Sequence, residues 1–521
     1  MLKLTILMKK IPSLLFVLLL LLSRALAQPV SETMKEYARS IRAADLKTHV
    51  EFLADDLLEG RETGTRGIEV AALYLKTQFQ RLGLKPGFLP EKSYFQYYEL
   101  RNSELESARI SIGKSTYSYP EDFFALSLAS VPTELSGPLV WIGFTQQDAA
   151  TRLAGVDLSG KVVIALEGAP DGSVGDRRER RRNRDLLGSY LKSKGAKGML
   201  VLLSKGEYEA YSRFAGRSSL SVISKSESEI PTLFLSPAMG ATLLKSAKTD
   251  ESRVRALMEE TGSLPALDFS RLKWAYQARV TRESVFPSNV LGYLEGTDKK
   301  DEVIIFTAHY DHEGINEQGE IFNGADDDGS GTATIIELAE AFALAAEGGY
   351  RPRRSLLFMA VSGEEKGLLG SAYYADHPVF SIENTVANLN IDMIGRTDPF
   401  YEGREDSANY VYIIGADRLS KDLHEINEQM NTGFAGLTLD YKYNDPRDPN
   451  RFYERSDHYN FAQKGIPIIF YFTGVHKDYH RPTDTAEKIN YEKMGRIARL
   501  IFATGWELAN RDERIVVDQG N

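Results

Sequence analysis

The chain has 521 residues, 42% of them hydrophobic and 26% charged, with a formal net charge of −10. That composition belongs to a folded globular protein of several domains and excludes a mainly disordered or fibrous chain. The negative balance argues against nucleic acid as a partner. The lack of any cysteine removes disulfides, thiol catalysis and thiolate-bound metals.

Residues 1–27 read as a secretory signal peptide. Lys9 and Lys10 give a basic start, Ile11 to Leu22 is an apolar run, and Ala25-Leu26-Ala27 is a small-residue cleavage site. The run is short for a membrane span of about 20 residues. The expectation is an exported protein, periplasmic or extracellular, with no stable membrane anchor after cleavage. From Gln28 to about Phe88 the pattern predicts two amphipathic helices. Apolar positions recur at Leu46, Val50, Leu53 and Leu57, then at Val70, Leu73, Leu75 and Phe79. Thr65 is a suitable N-cap for the second helix, and Gly83 with Pro86 a stop.

Between about 126 and 265 the texture changes to short strand-like runs separated by Gly-rich and polar turns: Leu139 to Phe144, Val162 to Leu166, Met199 to Leu203 and Thr232 to Leu235. The six arginines between Arg177 and Arg184 lie beside Asp176, Glu179 and Asp185 and read as a solvated helix start. From Ser288 onward continuous apolar runs alternate with helical stretches such as Thr332 to Ala346. The runs Val303 to Thr307, Leu356 to Val361, Leu389 to Ile391 and Ile468 to Phe472 have the character of strands buried on both faces. Such alternation predicts an α/β fold with a central mixed, largely parallel sheet flanked by helices.

Ligands of α/β folds gather at the carboxyl ends of the strands, and each run here leads into metal-ligand chemistry. Val303 to Thr307 is followed by Ala308-His309-Tyr310-Asp311-His312, and then by Gly324-Ala325-Asp326-Asp327-Asp328-Gly329-Ser330-Gly331 opening a helix. Leu356 to Val361 leads into Ser362-Gly363-Glu364-Glu365. Asn390-Ile391 ends at Asp392, and after Ile468 to Phe472 stands Tyr479-His480-Arg481-Pro482-Thr483-Asp484-Thr485. Imidazole and carboxylate donors without thiolates suit zinc in a catalytic site. The donors exceed the needs of one tetrahedral ion and suit a pair bridged by a carboxylate. Glu364-Glu365 can then supply one ligand and one free base.

The ordered set AHYDH, GADDDGSG, SGEE, NIDMIG and YHRPTDT resembles the secreted co-catalytic di-zinc aminopeptidases, relatives of glutamate carboxypeptidase and the transferrin receptor. The resemblance covers most of residues 288–500, and residues 126–265 resemble the protease-associated domain that many members carry as an insert. It implies a catalytic domain split into 28–125 and 266–521, with a β-rich protease-associated insert at 126–265, on a zinc-exopeptidase, phosphorylase/hydrolase-like fold. It further implies two zinc ions, with His309 and Asp392 on one, Glu365 and His480 on the other, and Asp327 bridging both. Glu364 is implied as general base, Asp311 as the residue orienting His309, and Tyr479 as a stabiliser of the oxyanion. His312 departs from the serine that many members have there, and Asp328 follows the bridging position, where members often have a strained Asp-Asp peptide. The substrate class implied is peptides cleaved at the N-terminus. A carboxypeptidase or dipeptidase on the same metal core, a glutaminyl cyclase, and a non-catalytic binding protein are the alternatives.

Overall fold

The computed structural model describes residues 31–518 apart from 147–148, 174, 176, 214, 217, 223–228 and 262. The expected signal peptide at 1–27 lies outside the described residues. Among the described residues no helix is long and apolar enough to cross a membrane. The chain divides into two compact units, Met1–Tyr98 with Pro287–Asn521, and Glu99–Phe286.

The first unit is built on a nine-stranded sheet whose centre is parallel. Its helices α1 (Ala43–Leu53) and α2 (Arg66–Arg81) precede the main strands β1 (Ser288–Leu294) and β2 (Lys299–His309). Then follow α3 (Gly329–Glu347), β3 (Arg354–Val361), β4 (Thr385–Ile391), β5 (Tyr410–Ile414), β6 (Ile468–Phe472) and α4 (Tyr491–Asn510). The spatial order is β1-β3-β2-β4-β6-β5. The pairs β3–β2, β2–β4 and β4–β6 are parallel, and β1–β3 and β6–β5 are antiparallel. Alternate residues serve the two faces. Ile304, Phe306, Leu356, Phe358 and Leu389 join the core beneath α1, α2, α3 and α4, while Val303, Ile305, Leu357 and Met359 pack with Tyr374 and Phe461 on the other side. With both faces covered, the strands carry apolar runs such as Val303–Phe306 and Leu356–Val361.

The helical periodicity at the N-terminus misassigns part of the buried face. The first helix stops at Leu53, and the chain turns through a short 3-10 segment, Asp56–Arg61, which leaves Leu57 85% exposed. In α2 the buried stripe is Ile68, Ala71, Ala72, Leu75 and Phe79, and Leu73 points to solvent at 56% exposure. Thr65 does hold the N-cap position of α2, without a side-chain capping bond.

The second unit contains two five-stranded sheets. One runs Phe123–Phe124, Thr232–Leu235, Gly198–Leu202, Val162–Leu166, Leu139–Phe144, and includes the four strands expected from sequence. The other is dominated by Leu100–Ile112 paired antiparallel with Trp274–Val285. Because these two long strands flank the expected 126–265 interval and pair with each other, the compact unit is wider than that interval at both ends. The arginine-rich helix Arg177–Ser193 is not solvated throughout. Arg184 is 8% exposed, its guanidinium donates to the Glu167 carboxylate, and it lies 5.3 Å from the Phe234 ring centre.

Candidate metal centre

The expected donors come together at the carboxyl ends of the parallel strands. His309 is the last residue of β2 and is 1% exposed. Its carbonyl accepts the Thr332 hydroxyl at 2.6 Å, which ties the strand exit to α3. Its Nε2 lies 3.2 Å from Asp327 Oδ1 and 3.7 Å from Asp392 Oδ1. Asp392 follows β4 directly, and Asp327 sits in the loop before α3. That loop is fixed from several sides. Asp484 Oδ2 accepts the amide N–H groups of Asp326 at 3.0 Å and Asp327 at 3.2 Å. Asp328 accepts N–H bonds from Gly331 at 2.7 Å, from His309 at 3.2 Å and from Met393 at 3.2 Å, so one carboxylate joins α3, β2 and the exit of β4. The Asp327–Asp328 peptide is cis.

The second half of the centre is formed by Glu365, in the turn after β3, and by His480. His480 Nε2 lies 3.1 Å from Asp327 Oδ2 and 3.2 Å from Glu365 Oε2, and its Nδ1 is 3.3 Å from Glu313 Oε1. Asp327 therefore presents one carboxylate oxygen to each histidine. Glu364 stands on the His309 side, where His309, Glu364 and Asp392 offer donor atoms within 4.8 Å of one another. Asp311 supports both neighbours, though differently from the expectation. The His309 Nδ1 is 3.0 Å from the Asp311 main-chain carbonyl and 3.8 Å from its carboxylate. That carboxylate instead accepts the Thr63 hydroxyl at 2.9 Å and the Glu364 amide at 3.2 Å. The main-chain oxygen orients the ring, and the Asp311 side chain positions the turn that carries Glu364.

These residues fit metal ions. Asp327 Oδ2, Asp392 Oδ1, Glu365 Oε1 and His480 Nε2 are buried atoms that make no hydrogen bond despite their mutual proximity. Buried polar atoms rarely stay unpaired, and donors that face each other without hydrogen-bond geometry are arranged for a cation between them. Burial opposes protonation of His480, yet Asp327 and Glu365 push its pKa up to about 10, a sign of how strongly this acidic cluster demands positive charge. Burial raises the Glu364 carboxyl well above the usual carboxylate range, against the pull of His309 and with Glu365 adding to the rise. The adjoining pocket has an apolar wall of Met393, Phe452, Phe470, Phe472 and Val475, with Arg455 and Tyr479 beside it. The Tyr479 hydroxyl accepts an N–H bond from Arg455 at 3.1 Å, and its ring lies 3.9 Å from that of His480.

Other residues at the centre were not marked as functional by sequence. Arg61 is 1% exposed, and its guanidinium donates to the carbonyls of Tyr310 (2.9 Å), Asn323 (2.7 Å), Gly324 (3.0 Å) and Leu53. It clamps the exit of β2 to the loop that carries Asp327. His476, four residues after β6, places Nε2 3.3 Å from Asp326 Oδ2. The available signal was a histidine beyond a strand exit, but outside the five motifs. His312 is fully buried with Nδ1 3.0 Å from Glu365 Oε1. His458 is buried away from the donors and its Nε2 meets the Tyr453 carbonyl at 2.8 Å. His49 is likewise apart, with Nδ1 2.7 Å from the Tyr74 hydroxyl.

Residues 289–505 match Peptidase family M28. Aminopeptidase YwaD of Bacillus subtilis is 25% identical over 336 residues, covering 61% of this chain and 64% of the relative. A probable zinc metalloprotease of Leptosphaeria maculans is 28% identical over 273 residues, covering 45% and 61%. The chain spans between half and two thirds of the length of the curated relatives it matches. Among solved structures, an aminopeptidase from Aneurinibacillus sp. strain AM-1 superposes over 94% of this chain and 98% of its own, with a TM-score of 0.54 and 18% identity, a likeness of fold.

Proposed function

We propose that this protein is a zinc-dependent exopeptidase of peptidase family M28 that removes N-terminal residues from peptides. The observation that carries the reading is the convergence of His309, Asp327, Glu365, Asp392 and His480, with Glu364 beside them, at the carboxyl end of the sheet in an M28 domain. Two ions fit, one held by His309 and Asp392, the other by Glu365 and His480, with Asp327 shared. Zinc bound there supplies Lewis-acid polarisation of a carbonyl and lowers the pKa of water. Glu364 takes the proton of the attacking water and delivers it to the leaving amine. Tyr479, held by Arg455, donates its hydroxyl to the oxyanion that develops on the scissile carbonyl. The apolar wall favours peptides with an apolar N-terminal side chain.

Export is supported by the basic and then apolar residues 1–27 and by the absence of cysteine. The reading of residues 126–265 as a protease-associated insert is supported by their strand-rich texture. One observation favours a second reading, carboxypeptidase activity. The Arg455 guanidinium stands at the pocket, where it could receive a substrate carboxylate.

The test is incubation of the purified protein with a pool of free and N-acetylated peptides, with and without chelator, read by mass spectrometry. Chelator-sensitive ladders from free N-termini alone are expected. Loss from C-termini, acetylated peptides included, would move the assignment to a carboxypeptidase. A loss of about 17 daltons without cleavage would indicate glutaminyl cyclisation, an acyl transfer to the substrate's own amine with ammonia leaving. No reaction with zinc restored would refute a peptidase.

A further inference from the structure

The centre has one more buried nitrogen donor than the assignment above uses. His312 is 0% exposed, and neither of its ring nitrogens makes a hydrogen bond among the described residues. Its Nδ1 lies 3.0 Å from Glu365 Oε1 and 3.9 Å from Asp327 Oδ2, without hydrogen-bond geometry to either. Its ring meets that of His480 edge-on, with centroids 5.7 Å apart and planes at 85°. The position of His312 is not adjustable. Its amide donates to the Arg61 carbonyl at 3.2 Å, and its ring sits so close to Gly324 that a Cβ there would come within 2.5 Å of its Cγ.

We propose that His312 is a protein ligand of the second metal position, beside Asp327, Glu365 and His480. The inference rests on the di-zinc reading above and makes the two positions unequal. Zinc–nitrogen and zinc–oxygen bonds of about 2.0–2.2 Å at tetrahedral angles put neighbouring donors about 3.3–3.6 Å apart. The His312 Nδ1 distances, 3.0 Å to Glu365 Oε1 and 3.9 Å to Asp327 Oδ2, bracket that spacing, and His312, Asp327 and Glu365 offer donor atoms within 4.8 Å of one another. His480 reaches the other Glu365 oxygen at 3.2 Å and Asp327 Oδ2 at 3.1 Å. The position thus has four protein donors, two of them imidazoles. The other has His309, Asp392 and the shared Asp327 as ligands, with Glu364 kept free. Four protein donors make a closed, firmly held site, whereas three leave a coordination position open for water or substrate. The second position therefore retains its ion when the first has lost its own, and His312 is the residue that creates the difference.

The test is metal binding, read without reference to activity. Chelated full-length protein is titrated with zinc against a chromophoric competitor, and the zinc-loaded protein is examined by X-ray absorption to count imidazoles. The wild type is expected to bind two zincs of clearly different affinity, with three imidazoles shared between them. His312→Ala is expected to weaken the tighter site by at least about 100-fold, leave the weaker one unchanged, and drop the count to two imidazoles. His312→Asn keeps a hydrogen-bond donor facing Glu365 and is expected to behave like the alanine variant; full retention of tight binding in it would overturn ligation in favour of mere positioning of Glu365. Two zincs with only two imidazoles in the wild type would overturn the inference while leaving the di-zinc reading standing, and this measurement needs no variant to fold. A wild type that binds no zinc would overturn the underlying reading and this one with it.

Discussion

Arg61→Lys isolates the clamp behind the metal centre, because it keeps the positive charge and removes only the fork. The guanidinium serves four carbonyls, those of Leu53, Tyr310, Asn323 and Gly324, from the end of α1 to the loop before α3. Burial lowers its pKa to about 10, against the pull of Asp311 and Asp328, so it is still a cation at neutral pH. The Gly324 carbonyl also accepts the Gly329 amide at 3.1 Å, so three of the four oxygens depend on Arg61 alone. An ammonium on a shorter stem reaches at most two of them and leaves at least one buried carbonyl unpaired, an expected loss of about 2 kcal/mol at about 1–3 kcal/mol for an orphaned group. Urea unfolding of the chelated protein, followed by circular dichroism, measures the total. Hydrogen exchange of the segments spanning residues 305–330 measures where the loss falls. Zinc affinity should drop by about 10-fold or more, because the loop holding Asp327 is no longer fixed to the strand holding His309. A variant within about 1 kcal/mol of the wild type and with unchanged zinc affinity would refute the clamp.

Glu364→Gln keeps the shape of the side chain and removes the base. Turnover should fall at least about 100-fold while zinc content by elemental analysis stays unchanged, and loss of one zinc would make Glu364 a ligand instead. His458 is held down to about pKa 3 by burial, whereas an unfolded chain takes up the proton near 6.5. The unfolded state therefore binds more protons between those values, and stability falls as pH drops below about 6.5. Roughly 3 kcal/mol of the difference between pH 7 and pH 4 should disappear in His458→Gln, measured by urea unfolding of chelated protein at both pH values, and an unaltered difference would count against it. A Cβ on Gly67 would lie 1.8 Å from the Leu58 carbonyl oxygen, and one on Gly206 would meet nothing within 4 Å. Thermal unfolding should show Gly67→Ala less stable by about 2 kcal/mol or more, and Gly206→Ala slightly more stable; equal melting of the two would contradict the packing described for the segment that carries Arg61.

How far the centre can be read without coordinates follows from what each residue does. The donors announce themselves because they are chemically out of place. Strands such as Val303 to Thr307 and Leu356 to Val361 are apolar on both faces, so an imidazole or carboxylate at their exits contrasts with everything before it. Alanine has no such contrast. Ala71 and Ala72 form part of the buried stripe of α2, but a search for large apolar residues at helical spacing passes over them and selects Leu73, which is exposed. Arg61 and Arg184 show the same limit for charge. A lone arginine after a turn and one within an arginine run both read as surface, and only partners distant in the chain reverse that: Asn323 and Gly324 for the first, Glu167 for the second. His312 lies between these cases. Standing where similar proteins often have serine marked it as unusual without giving it a task, since the ring has meaning only against Glu365 and Asp327, which two other segments deliver. A residue that binds a reactant carries its chemistry in its own side chain, whereas one that holds the binder in place is defined by which backbone oxygens happen to surround it. The first kind is readable from type and spacing. The second waits on the fold, which brings those oxygens together from segments far apart in the chain.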